Sequence, residues 1–287
     1  MPYSGIGTIK EILSFINDNT PKYFNKNIAN ILNILRVFVV NKAYKILLFS
    51  LIFLSALISI GAAKPIKKPI ALVYRGPAGC AECSEAVAKL LKSDNIWNFN
   101  VIYVGPNEKT SVQAGLQLPN VVLYAQPGGD GSLNKAFNKL KNDAPAMRNF
   151  VSKGGRYLGF CMGAYMVDND PGYDLGLNTN QYIITPRATV KTEADTLVQV
   201  IWRGTNRWMY FQDGPDFIHE SGIAGQKILA TYMNGKVAAM VQPYGNGKIG
   251  VSGPHPEADS SWYKDAHLKD PGSNADLGHD LIDTLMQ

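Results

Sequence analysis

Cys161 stands in Gly159-Phe160-Cys161-Met162-Gly163, and a short apolar run, Tyr157–Phe160, leads straight into it. Glycines on both sides of a thiol are what a sharp strand-to-helix turn needs, because the turn and the following helix approach backbone too closely for a Cβ. Placed there, the sulfur sits at a helix N-terminus, whose partial positive charge favours thiolate. The N–H of Met162 is then free to donate to an oxyanion. The chemistry this allows is nucleophilic attack on an acyl carbon. A buried cysteine packing as a small hydrophobe is the alternative that this segment alone leaves open.

A nucleophilic thiol needs a base. His255-Pro256-Glu257 follows the apolar run Lys248–Gly253. In that setting His255 takes the thiol proton, and Glu257 holds the imidazole in one tautomer and stabilises its charged form. A loop histidine beside a surface acid is the plainer alternative. His219, His267 and His279 lack such a strand-end setting. A second source of oxyanion donors is Gln126-Pro127-Gly128-Gly129-Asp130-Gly131, directly after the run Val121–Ala125. Backbone N–H groups of Gly128, Gly129 and Asp130 at a strand's carboxyl end can form a nest for negative charge.

Cys80-Ala81-Glu82-Cys83 has the spacing of a redox pair with one thiol at a helix N-terminus, of half a zinc site, or of a local disulfide. Zinc needs two further ligands at suitable spacing, and none is found. In an oxidising compartment the pair is expected to form a local structural disulfide, leaving Cys161 as the odd thiol among three cysteines. No G-x-x-x-x-G-K phosphate loop and no paired histidines at zinc spacing occur, so neither a metal nor an organic cofactor is expected.

These residues need a scaffold. Short apolar strands at Ile70–Arg75, Phe99–Val104, Val121–Ala125 and Tyr157–Phe160 alternate with helical spacing over Ser84–Lys92 and Ala146–Ser152. That alternation predicts an α/β fold with a mainly parallel sheet and functional groups at the strands' carboxyl ends. Past residue 180 the strands lie closer together: Tyr182–Thr185, Thr196–Trp202, Trp208–Gln212, Ile228–Tyr232, Ala238–Pro243 and Lys248–Gly253. Asn234-Gly235 and Asn246-Gly247 read as two-residue hairpin turns, so a C-terminal β-meander is expected, closed by a helix over Leu277–Met286.

The chain has 287 residues, 46% of them hydrophobic, enough for a sizeable core. Its net charge of +5 is uneven: six basic and two acidic residues fall within 1–63, leaving the remainder at +1. So neutral a domain has no electrostatic footprint for nucleic acid. Residues 46–63, ILLFSLIFLSALISIGAA, carry no charge, follow Lys42 and Lys45, and end in small residues. This is the pattern of a signal peptide, and the run is also long enough to anchor the chain in a bilayer. The expected organisation is an N-terminal extension over 1–45, a signal peptide or anchor over 46–63, and one domain over 64–287. The protein is expected to be exported, periplasmic or secreted, or else membrane-anchored. Contact with a membrane is expected only through residues 46–63, if they are retained.

The Pro127-Gly128-Gly129 loop, the Gly159–Gly163 elbow and the His255-Pro256-Glu257 pair, in this order, resemble the class I glutamine amidotransferase superfamily. Tyr74-Arg75-Gly76-Pro77-Gly79, the elbow ending in Gly163-Ala164-Tyr165, and Phe211-Gln212-Asp213-Gly214-Pro215 are similar to its biotin–protein ligase N-terminal branch. The resemblance covers about residues 68–287. It implies a flavodoxin-like three-layer sandwich, with Cys161 as nucleophile, His255 as base and Glu257 as orienter. Tyr165, Asp213 and Gly214 are candidates for the pocket wall. Tyr165 stands where glutaminases carry Gln, which turns the expectation away from glutamine. Nothing in the chain resembles a biotinyl-adenylate site, so biotin transfer is not expected. The reading is a cysteine-dependent hydrolase or amidotransferase-like protein acting on a small-molecule or peptide amide. The alternative is a non-catalytic module that binds a ligand or partner.

Overall fold

The computed structural model describes residues 68–129, 131–167, 183–184, 190, 192–217 and 223–287. The segments 1–45 and 46–63, Asp130 and His219 lie outside the described residues, as do Tyr182 and Thr185 at the ends of one expected strand. Among the described residues, no helix is long and apolar enough to cross a membrane. Lys67–Gln287 form one compact unit.

Strands β1 (Ile70–Tyr74), β2 (Asn100–Val104), β3 (Val121–Gln126) and β4 (Arg156–Phe160) are short and rich in apolar residues. That is how strands read when both faces of a parallel sheet are covered. Their side chains alternate between two cores. Ala71, Val73, Leu123, Ala125, Leu158 and Phe160 join one, whereas Leu72, Tyr74, Tyr124 and Tyr157 join the other. The first core is completed by Val87, Leu90 and Leu91 of helix α1 (Ala81–Ser93). The second is completed by Val112 of α2 (Val112–Leu116), by Phe137 and Leu140 of α3 (Leu133–Leu140), and by Met147 and Val151 of α4 (Ala144–Ser152).

Ser111 and Ser132 cap α2 and α3 by accepting from the N–H groups of Ala114 and Lys135. Neither helix is legible from periodicity, because each spans at most about two turns. Helix α1 also begins earlier than the expected Ser84, since Cys80 occupies the cap position and its Sγ accepts from the Cys83 N–H.

Beyond β4 come a one-turn helix α5 (Met162–Tyr165) and the strands β5 (Ile183–Ile184), β6 (Thr196–Trp202), β7 (Thr205–Phe211), β8 (Asp216–Phe217), β9 (Lys227–Tyr232), β10 (Val237–Tyr244) and β11 (Gly247–Ser252). The sheet runs β2-β1-β3-β4-β11-β10-β9-β6-β7. Pairings from β2 to β11 are parallel, and those from β11 to β7 are antiparallel. The result is a mixed sheet with helices, an α/β fold.

The turns differ in detail from the sequence expectation. Gly247 already pairs with Tyr244, so the two-residue loop is Gly245-Asn246, with Gly245 at positive φ. The β9–β10 connection spans four residues, 233–236, with Gly235 at positive φ. A tighter hairpin joins β6 to β7 through Arg203-Gly204, both at positive φ, as the right-handed strand twist requires. Helices α6 (Ser260–Asp265) and α7 (Ala275–Met286) close the chain, α7 burying Leu277, Leu281, Ile282 and Leu285 in the first core.

Candidate active site

The elbow at Cys161 is built by close contacts that leave no room for side chains. A Cβ on Gly159 would lie 2.5 Å from the Gly163 carbonyl oxygen, and one on Gly163 would lie 2.2 Å from that of Gln126. Tyr157 donates its hydroxyl proton to the same Gly163 oxygen at 2.7 Å. Between the glycines Cys161 takes φ 48° and ψ −111°, a conformation that costs an L-residue on the order of 1–3 kcal/mol. The Cys161 N–H donates to Ser252 O at 2.9 Å, which ties the elbow to the end of β11. Helix α5 starts at Met162, so the N–H groups of Met162 and Gly163 have no acceptor within the helix, whereas those of Ala164 and Tyr165 donate to Cys161 O at 2.9 and 3.0 Å.

Strand β11 is the reason His255 reaches this elbow. It lies parallel to β4 with Ser252 opposite Phe160, so both chains leave the sheet side by side. His255 then donates its N–H to Tyr210 O at 3.0 Å, forming an isolated antiparallel bridge to β7. His255 Nδ1 lies 2.8 Å from Glu257 Oε1. Both residues are buried, at 3% and 6% exposure. Burial alone would push the His255 pKa down. The charge of Glu257, with hydrogen bonds to Cys161 and Glu257, outweighs that and raises it to about 10. The Cys161 thiol also lies 3.4 Å from the Gln212 carbonyl oxygen.

Gly128 and Gly129 stand opposite the elbow. A Cβ on Gly128 would lie 3.0 Å from His255 Cε1 and 3.6 Å from Cys161 Cβ. One on Gly129 would lie 2.8 Å from Met162 Sδ. This loop is held by its neighbour: Cys80 N–H donates to Gly128 O at 3.0 Å, and Gln126 Nε2 donates to Ala78 O at 2.9 Å. Cys80 and Cys83 are joined as a disulfide at the start of α1.

A cavity of about 320 Å³ collects these groups. Its wall includes Cys161, His255, Gly128, Gly129, Cys80 and Cys83, together with Glu82, Asp195, Tyr210, Gln212, Trp262 and Asp265. Tyr165, Asp213 and Gly214 are not among the lining residues. They pack elsewhere: Tyr165 donates its hydroxyl proton to Asp213 O at 3.0 Å, and Gly214 packs on the Gly253 carbonyl with no space for a Cβ. Burial, before the nearby carboxylate charge of Asp213, keeps the Tyr165 phenol protonated, its pKa raised far above the usual value.

Sequence reasoning missed the aromatic and acidic part of the wall. Trp262 packs 5.2 Å from the His255 ring, and Tyr210 meets it edge-on at 5.7 Å while donating to Asp195 Oδ1 at 2.5 Å. No local pattern marks these residues, because helix α6, strand β7 and the loop before β6 contribute them. A larger cavity of about 450 Å³ lies at the amino-terminal ends of β3 and β4, lined by Gln113, Val121, Phe150 and Lys153. Its described lining holds no nucleophile and no acid–base pair, and it sits at the opposite ends of β3 and β4 from Cys161.

Comparisons with known proteins address the fold. A protein described as a GMP synthase subunit from Thermoplasma acidophilum is similar at 10% identity and a TM-score of 0.46, covering 76% of this chain and 92% of that one. A glutamine amido transferase from Methylobacillus flagellatus is similar at 12% identity and a TM-score of 0.45, with the same coverage. None of the curated proteins compared matches the chain. From β1 through the Cys161 elbow, residues 70–189 match the family model described as biotin-protein ligase, N terminal.

Proposed function

We propose that the protein is a thiol-dependent hydrolase or amidotransferase-like enzyme acting on an amide or related acyl bond. The observation that carries this reading is the strained Cys161 beside a buried His255 that is itself paired with Glu257 at 2.8 Å. His255, whose pKa is raised to about 10, takes the Cys161 thiol proton and holds it at neutral pH. Cys161 then attacks the acyl carbon, and His255 delivers its proton to the leaving amine. Backbone N–H groups of Met162 and of the Gly128–Gly129 loop serve as oxyanion donors. Water, deprotonated by the now neutral His255, releases the acyl group.

The acidic groups on the cavity wall are Glu82, Asp195 and Asp265, with His255 the one cation among the described lining residues. That lining suits a neutral or cationic acyl substrate better than one bearing carboxylates. The helices on both faces of the parallel strands support a flavodoxin-like sandwich extended by a meander. The Cys80–Cys83 disulfide supports export through, or anchoring by, residues 46–63, because such bonds persist in oxidising compartments.

Hydrolysis of a panel of small neutral and cationic amides, followed by amine release, tests the reading. Cys161→Ser should abolish turnover while leaving the circular dichroism spectrum unchanged, and wild-type turnover in that variant overturns it. Tyr165, standing where glutaminases carry Gln, favours the second reading of a non-catalytic binding module. Ligand binding that survives Cys161→Ser, together with inert wild-type protein, would select it.

A further inference from the structure

All three cysteines of the chain line one cavity. Cys83 is buried at 5% exposure, while Cys80 is partly exposed at the start of α1. The Gly128 position measures how near Cys83 stands to the nucleophile. A Cβ there would lie 3.5 Å from Cys83 Sγ and 3.6 Å from Cys161 Cβ, so those two atoms are no further apart than the sum of these distances. Glycine at 128 leaves that gap without a side chain. The Cys80–Cys83 disulfide and the nucleophile thus border the same cavity, with Gly128 next to both.

We propose that the cavity is also a thiol–disulfide exchange site in which Cys161 and the Cys80–Cys83 disulfide are partners. The Cys161 thiolate attacks Cys83 Sγ. A Cys161–Cys83 bond forms, the Cys83–Cys80 bond breaks, and its electron pair leaves on Cys80. His255 keeps the proton that the Cys161 thiol gave up, and the total oxidation state of the three sulfurs is unchanged, so no external oxidant enters. Cys80 is suited to leave: its Sγ accepts from the Cys83 N–H at 3.2 Å and sits at the N-terminus of a thirteen-residue helix, both of which stabilise a thiolate. In the exchanged form Cys161 is capped against acyl chemistry and against irreversible oxidation. Cys80, partly exposed, reverses the exchange, or attacks a small disulfide from solvent, forming a mixed disulfide as the other half leaves as a thiolate. This inference shares Cys161 with the amide reading but needs no acyl substrate, so each can fail without the other.

The test uses Cys80→Ser, which leaves Cys83 and Cys161 as thiols. Titrated with oxidised glutathione and digested without reduction, this variant should yield a Cys83–Cys161 linked peptide that exceeds the glutathione adducts by about tenfold, as an intramolecular reaction should. Cys161→Ser in the same background should remove it. If Cys83 and Cys161 instead stay free or carry glutathione separately, the proposal is overturned. Should Cys80→Ser fail to fold, the wild-type protein poised across graded ratios of reduced to oxidised glutathione gives the same decision. Because the two bonds are isomers of equal oxidation state, the linked peptide is expected in fixed proportion to Cys80–Cys83 at every ratio that leaves one disulfide, and its absence throughout overturns the proposal.

Discussion

His255 Nδ1 lies 2.8 Å from Glu257 Oε1 inside a site where both side chains are buried, so the carboxylate and the imidazole depend on one another for charge balance. An unpaired buried charge costs several kcal/mol, and the pair offsets part of that cost, with Glu257 Oε2 buried and without a hydrogen-bond partner.

Glu257→Gln keeps the size of the side chain and removes its charge. Because Glu257 is what lifts the His255 pKa against burial, the variant should titrate well below the wild-type value of about 10, read from the His255 ring signals by NMR. Turnover of any amide found to be a substrate should fall by about 10²–10⁴. An unmoved His255 titration would show that the carboxylate does not tune the imidazole.

The same pair sets a pH dependence of stability. The folded pKa of His255 is raised, so its contribution is complete below the unfolded value of about 6.5 and is lost as pH rises through about 10. Thermal melting of wild type and His255→Gln at constant ionic strength should therefore show a gap that narrows steadily from pH 6.5 to pH 10. A gap that widens over this range contradicts the assignment.

Strain at the elbow separates stability from chemistry. Cys161→Gly and Cys161→Ala both remove the sulfur, but only glycine adopts φ 48° without a Cβ penalty. The glycine variant should melt above the alanine variant by roughly 2–4 °C, equivalent to about 1 kcal/mol in a body of this size. Equal melting temperatures would mean that the elbow stores no such strain.

Gly128→Ala sets a methyl 3.0 Å from His255 Cε1, at the crowded end of van der Waals contact. Catalysis should drop by about tenfold or more while the melting temperature moves little, because the methyl crowds the imidazole and the oxyanion loop rather than the cores. Unchanged kcat would remove Gly128 from the oxyanion loop.

Much of this protein is local and therefore legible in its sequence. The apolar runs of β1 to β4 and β9 to β11 are visible because each of these strands lends side chains to a buried core. The elbow is visible because Gly159 and Gly163 are required by contacts within a few residues of Cys161 and against β3. The short helices α2, α3 and α6 are not, since their capping serines and aspartate resemble ordinary loop residues until a tertiary contact selects the helix.

By itself the sequence determined the residue types at the site, Cys161, His255 and Glu257, and the turn on which the thiol stands. Only the tertiary structure decided that they meet. Strand β11 could have paired elsewhere, but it lies parallel to β4 with Ser252 opposite Phe160, which brings the two exits together. The same folding placed Asp195, Tyr210 and Trp262 on the cavity wall and left Tyr165 off it, its hydroxyl bonded to Asp213 O. Strand pairing joins residues far apart in the chain, and the free energy that selects a partner comes from burying both sheet faces at once, so no short stretch of sequence encodes it.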